Sequence, residues 1–209
     1  MSAARDNLDV IIAPVMEITS VEVEDVPAPP ELVLLTSRHA VNAAATLFPD
    51  VPVLCVGDAT AESAHAKGLK ATSVAGTSVE LVEDVLRRDC HTILHLHGAH
   101  TRGDVTERLR RAGRAADERV VYEQNEVKWT DDAKERIDRS ETLIVPLFSP
   151  RNAVTVGARL RGFAPKPLHL VSMSRATNDA WSGVDPVTRT CADHPDFASM
   201  VRAIGSQVG

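Results

Sequence analysis

Hydroxyl side chains, three times with a basic neighbour, stand at four places in this 209-residue chain: Ser37-Arg38-His39, Gly57-Asp58-Ala59-Thr60, Ser149-Pro150-Arg151 and Ser172-Met173-Ser174-Arg175. Each follows a short apolar run and opens a helical stretch. A Ser or Thr at that point caps the helix, and the unpaired N–H groups of a helix start attract anions. Capping alone explains the hydroxyls. The neighbouring Arg38, His39, Arg151 and Arg175 suit a further task, the holding of carboxylates. None of the four is a phosphate loop, since neither GxxxxGK[ST] nor GxGxxG occurs. No Ser-His-Asp arrangement or nucleophile elbow can be read either.

A second concentration is the run HTILHLHGAH, with His91, His95, His97 and His100. His95 and His97 fall on one face of a strand, which raises zinc. Apart from Cys90 on the far side, no carboxylate or cysteine accompanies them at a familiar spacing, so no metal site is assigned. His97, His100 and Arg102 read instead as lining the loop at the strand's end, where ligands of α/β sheets bind. His95 reads as a core histidine. Tyr122, the single tyrosine, lies in an alternating segment and is either a packing residue or a hydrogen-bond donor.

The elements that must position these groups are short apolar runs alternating with amphipathic stretches. Strands are expected at 8–13, 32–35, 51–56, 70–74, 92–97, 119–122, 142–147, 167–172 and 187–190. Helices are expected at 40–47, 60–67, 79–88, 105–112 and 153–161. This alternation implies βα units and parallel sheets. Residues 14–31, PVMEITSVEVEDVPAPPE, are acidic and then proline-rich, as in an extended connector. Residues 119–128, RVVYEQNEVK, also alternate, and the two segments suit a two-stranded bridge.

An internal repeat organises the rest. VLLTSRHAV at 33–41 is echoed by VPLFSPRNAV at 145–154, and VLCVGDATAESAHAKGL at 53–69 by LHLVSMSRATNDAWSGV at 168–184. A further strand and helix follow in each half. The expected fold is therefore α/β with two flavodoxin-like, parallel-sheet lobes. The first lobe takes 1–18 with 129–209, the inserted second lobe 31–118, and the bridge 19–30 and 119–128.

Composition narrows the function. Aromatic residues make up 3% of the chain, so Val, Leu, Ile and Ala must build the core, as suits buried parallel sheets. A net charge of -6 argues against general nucleic-acid binding but leaves room for a local basic site. The three cysteines, Cys55, Cys90 and Cys191, form no CxxC and read as buried or free thiols of a reducing compartment. No apolar run approaches the ~20 residues that cross a bilayer, and residues 1–9 are too polar for a secretory signal. A cytoplasmic protein without membrane partners is expected.

In order and spacing these elements resemble the uroporphyrinogen-III synthase family. The resemblance rests on LTSRHAV (35–41), VGDATAESAHAKGL (56–69), HGAHTRGDVTERLRRAG (97–113), VVYEQ (120–124) and LFSPRNAV (147–154), and covers nearly the whole chain. It implies two lobes facing each other across a cleft. The implied reaction closes linear hydroxymethylbilane to uroporphyrinogen III in haem biosynthesis. Water is lost and the last pyrrole ring inverts through a spiro intermediate, with no cofactor and no metal. The implied enzyme is a cyclising hydro-lyase that works as a monomer. By position Tyr122 matches the tyrosine that helps the hydroxyl leave, and Ser37, Thr60 and Ser149 match cleft-facing hydroxyls. Together with Arg38, His39, His100, Arg102, Arg151, Ser174 and Arg175 they form the candidate substrate-binding set.

Two departures stand out. Where the family has Gly-Pro-Thr-Thr-Ala this chain has Ser172-Met173-Ser174-Arg175-Ala176, and an Arg-Gly-Glu turn is replaced by His97-Gly98-Ala99. They keep open an alternative, a two-lobed binding or regulatory relative without turnover. The repeat adds one more expectation. The inserted half has a strand, a turn and a helix before 119–122, and nothing comparable precedes 8–18. Either translation starts further upstream, or the first lobe has a four-strand or rearranged sheet.

Overall fold

The structure is a computed structural model and describes residues 8–74, 76–100 and 104–208. Two compact units emerge: Ile18–Asn125, and Met1–Glu17 with Glu126–Gly209. We call them the inserted and the composite unit. The mixed α/β architecture and the parallel sheets agree with the alternation in the sequence.

The chain begins with β1 (Met16–Ser20) and β2 (Leu32–Leu35), a 3-10 turn at Arg38–Ala40, α1 (Val41–Leu47), β3 (Val53–Val56) and α2 (Asp58–His65). It continues through β4 (Ala71–Val74), α3 (Ser78–Arg87), β5 (Thr92–Gly98), α4 (Val105–Arg111) and β6 (Ala115–Glu126). The sheet order is β1-β6-β5-β2-β3-β4. From β6 to β4 every neighbour runs parallel. β1 runs against β6, with Val21 N–H donating to Val121 O at 3.0 Å and Val127 N–H to Val15 O at 3.1 Å.

β2 shows why the sequence reads as it does. All four of its residues are buried. Val33 and Leu35 pack under Val41, Ala44, Ala61 and Ala64 of α1 and α2, while Leu32 and Leu34 meet Leu81, Val85 and Leu109 of α3 and α4. A strand covered on both faces has no polar side to alternate with. α3 starts at a full capping box, with Thr77 and Glu80 satisfying each other's backbone N–H groups.

The composite unit contains α5 (Asp131–Arg139), β7 (Leu143–Leu147), α6 (Pro150–Leu160), β8 (Leu168–Ser172), α7 (Arg175–Asp179), β9 (Thr188–Cys191) and α8 (Phe197–Gly205). Its sheet, β7-β8-β9, is parallel and three-stranded among the described residues. One face is buried by Trp129, Ile137, Leu160 and Trp181 around Leu168 and Leu170. The other is thinner, with Val171, Ala192 and Met200 as its buried residues.

Three expectations need correction. Residues 8–13 form no strand. Their backbone goes to side chains instead of a ladder, Ala13 O accepting from Trp129 Nε1 at 3.0 Å and Val10 O from Arg136 at 3.0 Å. Of the four-strand or rearranged sheet expected for this unit, the four-strand form is not what is found: among the described residues the sheet has three strands. The strand expected at 119–122 begins at Ala115, because its first half pairs with β5 in register from Thr92↔Ala115 onward.

β7 is consequently an edge. Leu143 N–H donates to Pro167 O on the β8 side, so by alternation Ile144 and Pro146 turn their backbone groups the other way. Pro146 has no N–H to present there, a common guard on an open edge. A trough of about 960 Å³ follows this side, lined by Val10, Ile11 and Ala13 and by Leu143, Ile144 and Val145. No helix among the described residues is long and apolar enough to cross a membrane.

Candidate active site

In the inserted unit four candidate segments meet at one edge of the sheet, the C-terminal ends of its parallel strands. Ser37, Arg38 and His39 follow β2, Gly57–Thr60 follow β3, His100 follows β5, and Tyr122 lies in β6 beside Gly98. Ser37 Oγ accepts from His39 N–H at 3.3 Å, capping the 3-10 turn. Arg38 and His39 are exposed. Partial burial, and then the charge of Arg38, hold the His39 imidazole below its usual range, which keeps it neutral near pH 7.

Tyr122 is buried, with 7% exposure, against the core formed by Val33, Leu35, Leu94 and Leu96. Its ring lies 5.5 Å from the His39 ring, tilted by 58°. Gly98 makes this place possible: a Cβ there would sit 2.4 Å from Tyr122 Cε2. Phenol and imidazole thus lie together, with the charge of Arg38 near enough to act on His39.

Thr60 does not cap its helix. Gly57, with φ of 77°, turns the chain three residues earlier and serves as N-cap of α2. Asp58 occupies the first turn and Thr60 is buried within it. His97 is not in a loop but inside β5, its side chain 12% exposed. Arg102 lies outside the described residues.

The composite unit repeats the arrangement. Ser149 Oγ accepts from Asn152 N–H at 3.2 Å and caps α6, with Pro150 opening the helix. Arg151 follows, half-buried. Ser174 Oγ accepts from Thr177 N–H at 3.2 Å and caps α7, beside the exposed Arg175. These groups stand at the C-terminal ends of β7 and β8. Beneath them the Ser172 hydroxyl and Asn178 Oδ1 are buried without a hydrogen-bond partner among the described residues.

One cluster was not legible in the sequence. His95, His97 and Glu118 each bring a ligand-type atom within 4.8 Å of the others. Glu118 comes from β6, directly opposite His95 in the parallel register. Only strand pairing makes that neighbour, so no spacing within the histidine run could have shown it. Gly98 escaped for the same reason. His95 is 2% exposed, and burial pushes its imidazole down to about 3, with His97 adding to the shift. It is neutral in any physiological buffer.

A family model described as uroporphyrinogen-III synthase HemD matches residues 3–202. Among solved structures, the uroporphyrinogen-III synthetase of Helicobacter pylori is similar at 15% identity, with a TM-score of 0.69 over 92% of this chain and 91% of that one. A mutant uroporphyrinogen III synthase of the extremely thermophilic bacterium Thermus thermophilus is similar at 17% identity, with a TM-score of 0.53 over 98% of this chain and 91% of that one. At these identities the structural likeness speaks for the fold. No curated protein matches the chain by sequence.

Proposed function

The chain belongs to the uroporphyrinogen-III synthase family, and from that premise we propose how it cyclises hydroxymethylbilane to uroporphyrinogen III in haem biosynthesis. The observation that carries the reading is the pairing of a family match over 3–202 with hydroxyl-and-base clusters at equivalent strand ends of both units.

In this reading the hydroxyl and basic groups at the strand ends bind the substrate. That substrate is a flexible polycarboxylate. Ser37, Arg38, His39, Ser149, Arg151, Ser174 and Arg175 are the groups for its carboxylates, while Thr60, His100 and Arg102 complete the set. The Tyr122 hydroxyl gives a hydrogen bond to the substrate hydroxyl as it leaves. The pyrrole nitrogen lone pair drives that departure, the oxygen takes the Tyr122 proton and goes out as water, and the phenolate recovers the proton released when the closed ring becomes aromatic again. The electrophilic carbon is then attacked by the last ring at its already substituted position, giving the spiro intermediate from which that ring re-closes inverted. Orientation supplies most of the acceleration, because the chain ends must meet in one of several possible ways. No cofactor is needed for any of these steps. We place the protein in the cytoplasm, as a monomer.

The test is to give the purified chain freshly made hydroxymethylbilane and separate the porphyrin isomers after oxidation. Type III in excess of the spontaneous type I is expected. Tyr122→Phe should lower turnover by ~10-fold to 100-fold with little change in thermal midpoint. Type I alone from folded protein would replace the enzyme with a binding relative, to which the Ser172–Arg175 departure already points.

A further inference from the structure

The histidine pair on β5 lies on the opposite face of the sheet from Tyr122. His95 and His97 share the sheet face of Ile93, whose neighbours are Leu81, Val85 and Leu109 of α3 and α4. Their rings stack at 4.8 Å between centroids, 33° from parallel. Each ring has one nitrogen already committed. His97 Nδ1 lies 2.8 Å from Gly98 O. A carbonyl only accepts, so the proton is on Nδ1 and the lone pair on Nε2. His95 Nε2 lies 3.2 Å from Thr36 Oγ1. With Nε2–H donating to that hydroxyl, the lone pair is on Nδ1.

This is the pattern that metal-binding histidines show, one nitrogen oriented by a neighbour and the other offered to the ion. The carboxylate of Glu118 completes the set. Its Oε2 stands 3.8 Å from His97 Nε2, too far for a hydrogen bond but close to the span of two donors that share one ion at ~2.0–2.1 Å each. Glu118 is half-exposed and can rotate by the small amount needed. A histidine kept for packing needs neither a second ring stacked on it nor a carboxylate across the ladder.

We propose that His95, His97 and Glu118 bind one divalent transition-metal ion, with Zn²⁺ the ion best suited to two imidazoles and a carboxylate. Water takes the fourth position, on the exposed side where Glu118 enters. Thr36 acts as a positioning residue, holding the orientation of the His95 ring. The site rests on the fold of the inserted unit and is independent of the synthase reading.

The experiment is calorimetric titration of the chelator-stripped full chain with Zn²⁺, and absorption spectroscopy with Co²⁺ as a second probe. Saturation at one equivalent is expected, together with visible bands of four-coordinate cobalt and no thiolate band. Glu118→Gln and His97→Gln should each weaken binding by at least ~10-fold, and Thr36→Val by ~10-fold through lost orientation. Because His95 is buried, its substitution could unfold the unit; the half-exposed Glu118→Gln avoids that, and circular dichroism checks its fold. Lack of saturable binding would overturn the proposal. So would affinity unchanged by both Glu118→Gln and His97→Gln, or a thiolate band, which would assign the metal to a cysteine.

Discussion

Val33 and Val145 open the same strand–Ser–helix repeat, yet one is fully buried and the other half-exposed. β2 lies between β5 and β3, with helices on both faces of the sheet. β7 has β8 on one side and, among the described residues, no strand on the other. One pattern has been built into a closed sheet and into an open edge. The difference is not in the repeat itself but in what flanks it. β5 and α4, with Ile93, Leu94, Leu96, Val105 and Leu109, close the inserted unit. In the composite unit the corresponding place is the trough between residues 8–13 and β7. A capped, hydroxyl-bearing helix start therefore needs only its own strand and helix. Stability needs the neighbours as well.

The largest expected contrast is in the core. Val33→Ala removes methyl groups from a site with no room to relax and should cost ~2 kcal/mol. Val145→Ala, already partly in water, should cost less than ~1 kcal/mol. Urea unfolding of the two variants measures both, and equal losses would break the comparison. A smaller contrast lies at the caps. Ser149→Ala strips an 11-residue helix of its N-cap bond, worth ~1 kcal/mol. Ser37→Ala affects a three-residue turn and should cost only a few tenths, ~0.3 kcal/mol. If both serines also hold substrate, each variant should raise KM for hydroxymethylbilane. A variant that loses stability with KM unchanged has a serine that only caps.

Much of this architecture could be read from the residues. Covered strands such as LVLL declare themselves by lacking polar alternation, and the Ser at each helix start by its place after the strand. The repeat allowed an upstream start or a four-strand or rearranged sheet in the composite unit, and did not show that 8–13 would form no strand. LDVIIA has the composition of a strand, but a strand also needs a neighbour, and Trp129 and Arg136 take its carbonyls instead. The site was legible as a set of strand ends. The Tyr122–Gly98 fit and the Glu118–His95 pairing depend on register between β5 and β6, which a single sequence does not display.

Hydrogen exchange at two amides tests the contrast between the units most directly. Leu34 N–H points into the sheet toward β5, and Ile144 N–H points away from β8 along the open side of β7. Open edges exchange through local fluctuations, while central strands exchange only on wide unfolding. In the native protein the Leu34 amide should be protected to the full unfolding free energy, and the Ile144 amide should exchange faster by at least ~100-fold. Equal protection of the two would contradict the account, because it would mean that the β7 edge is as closed as β2.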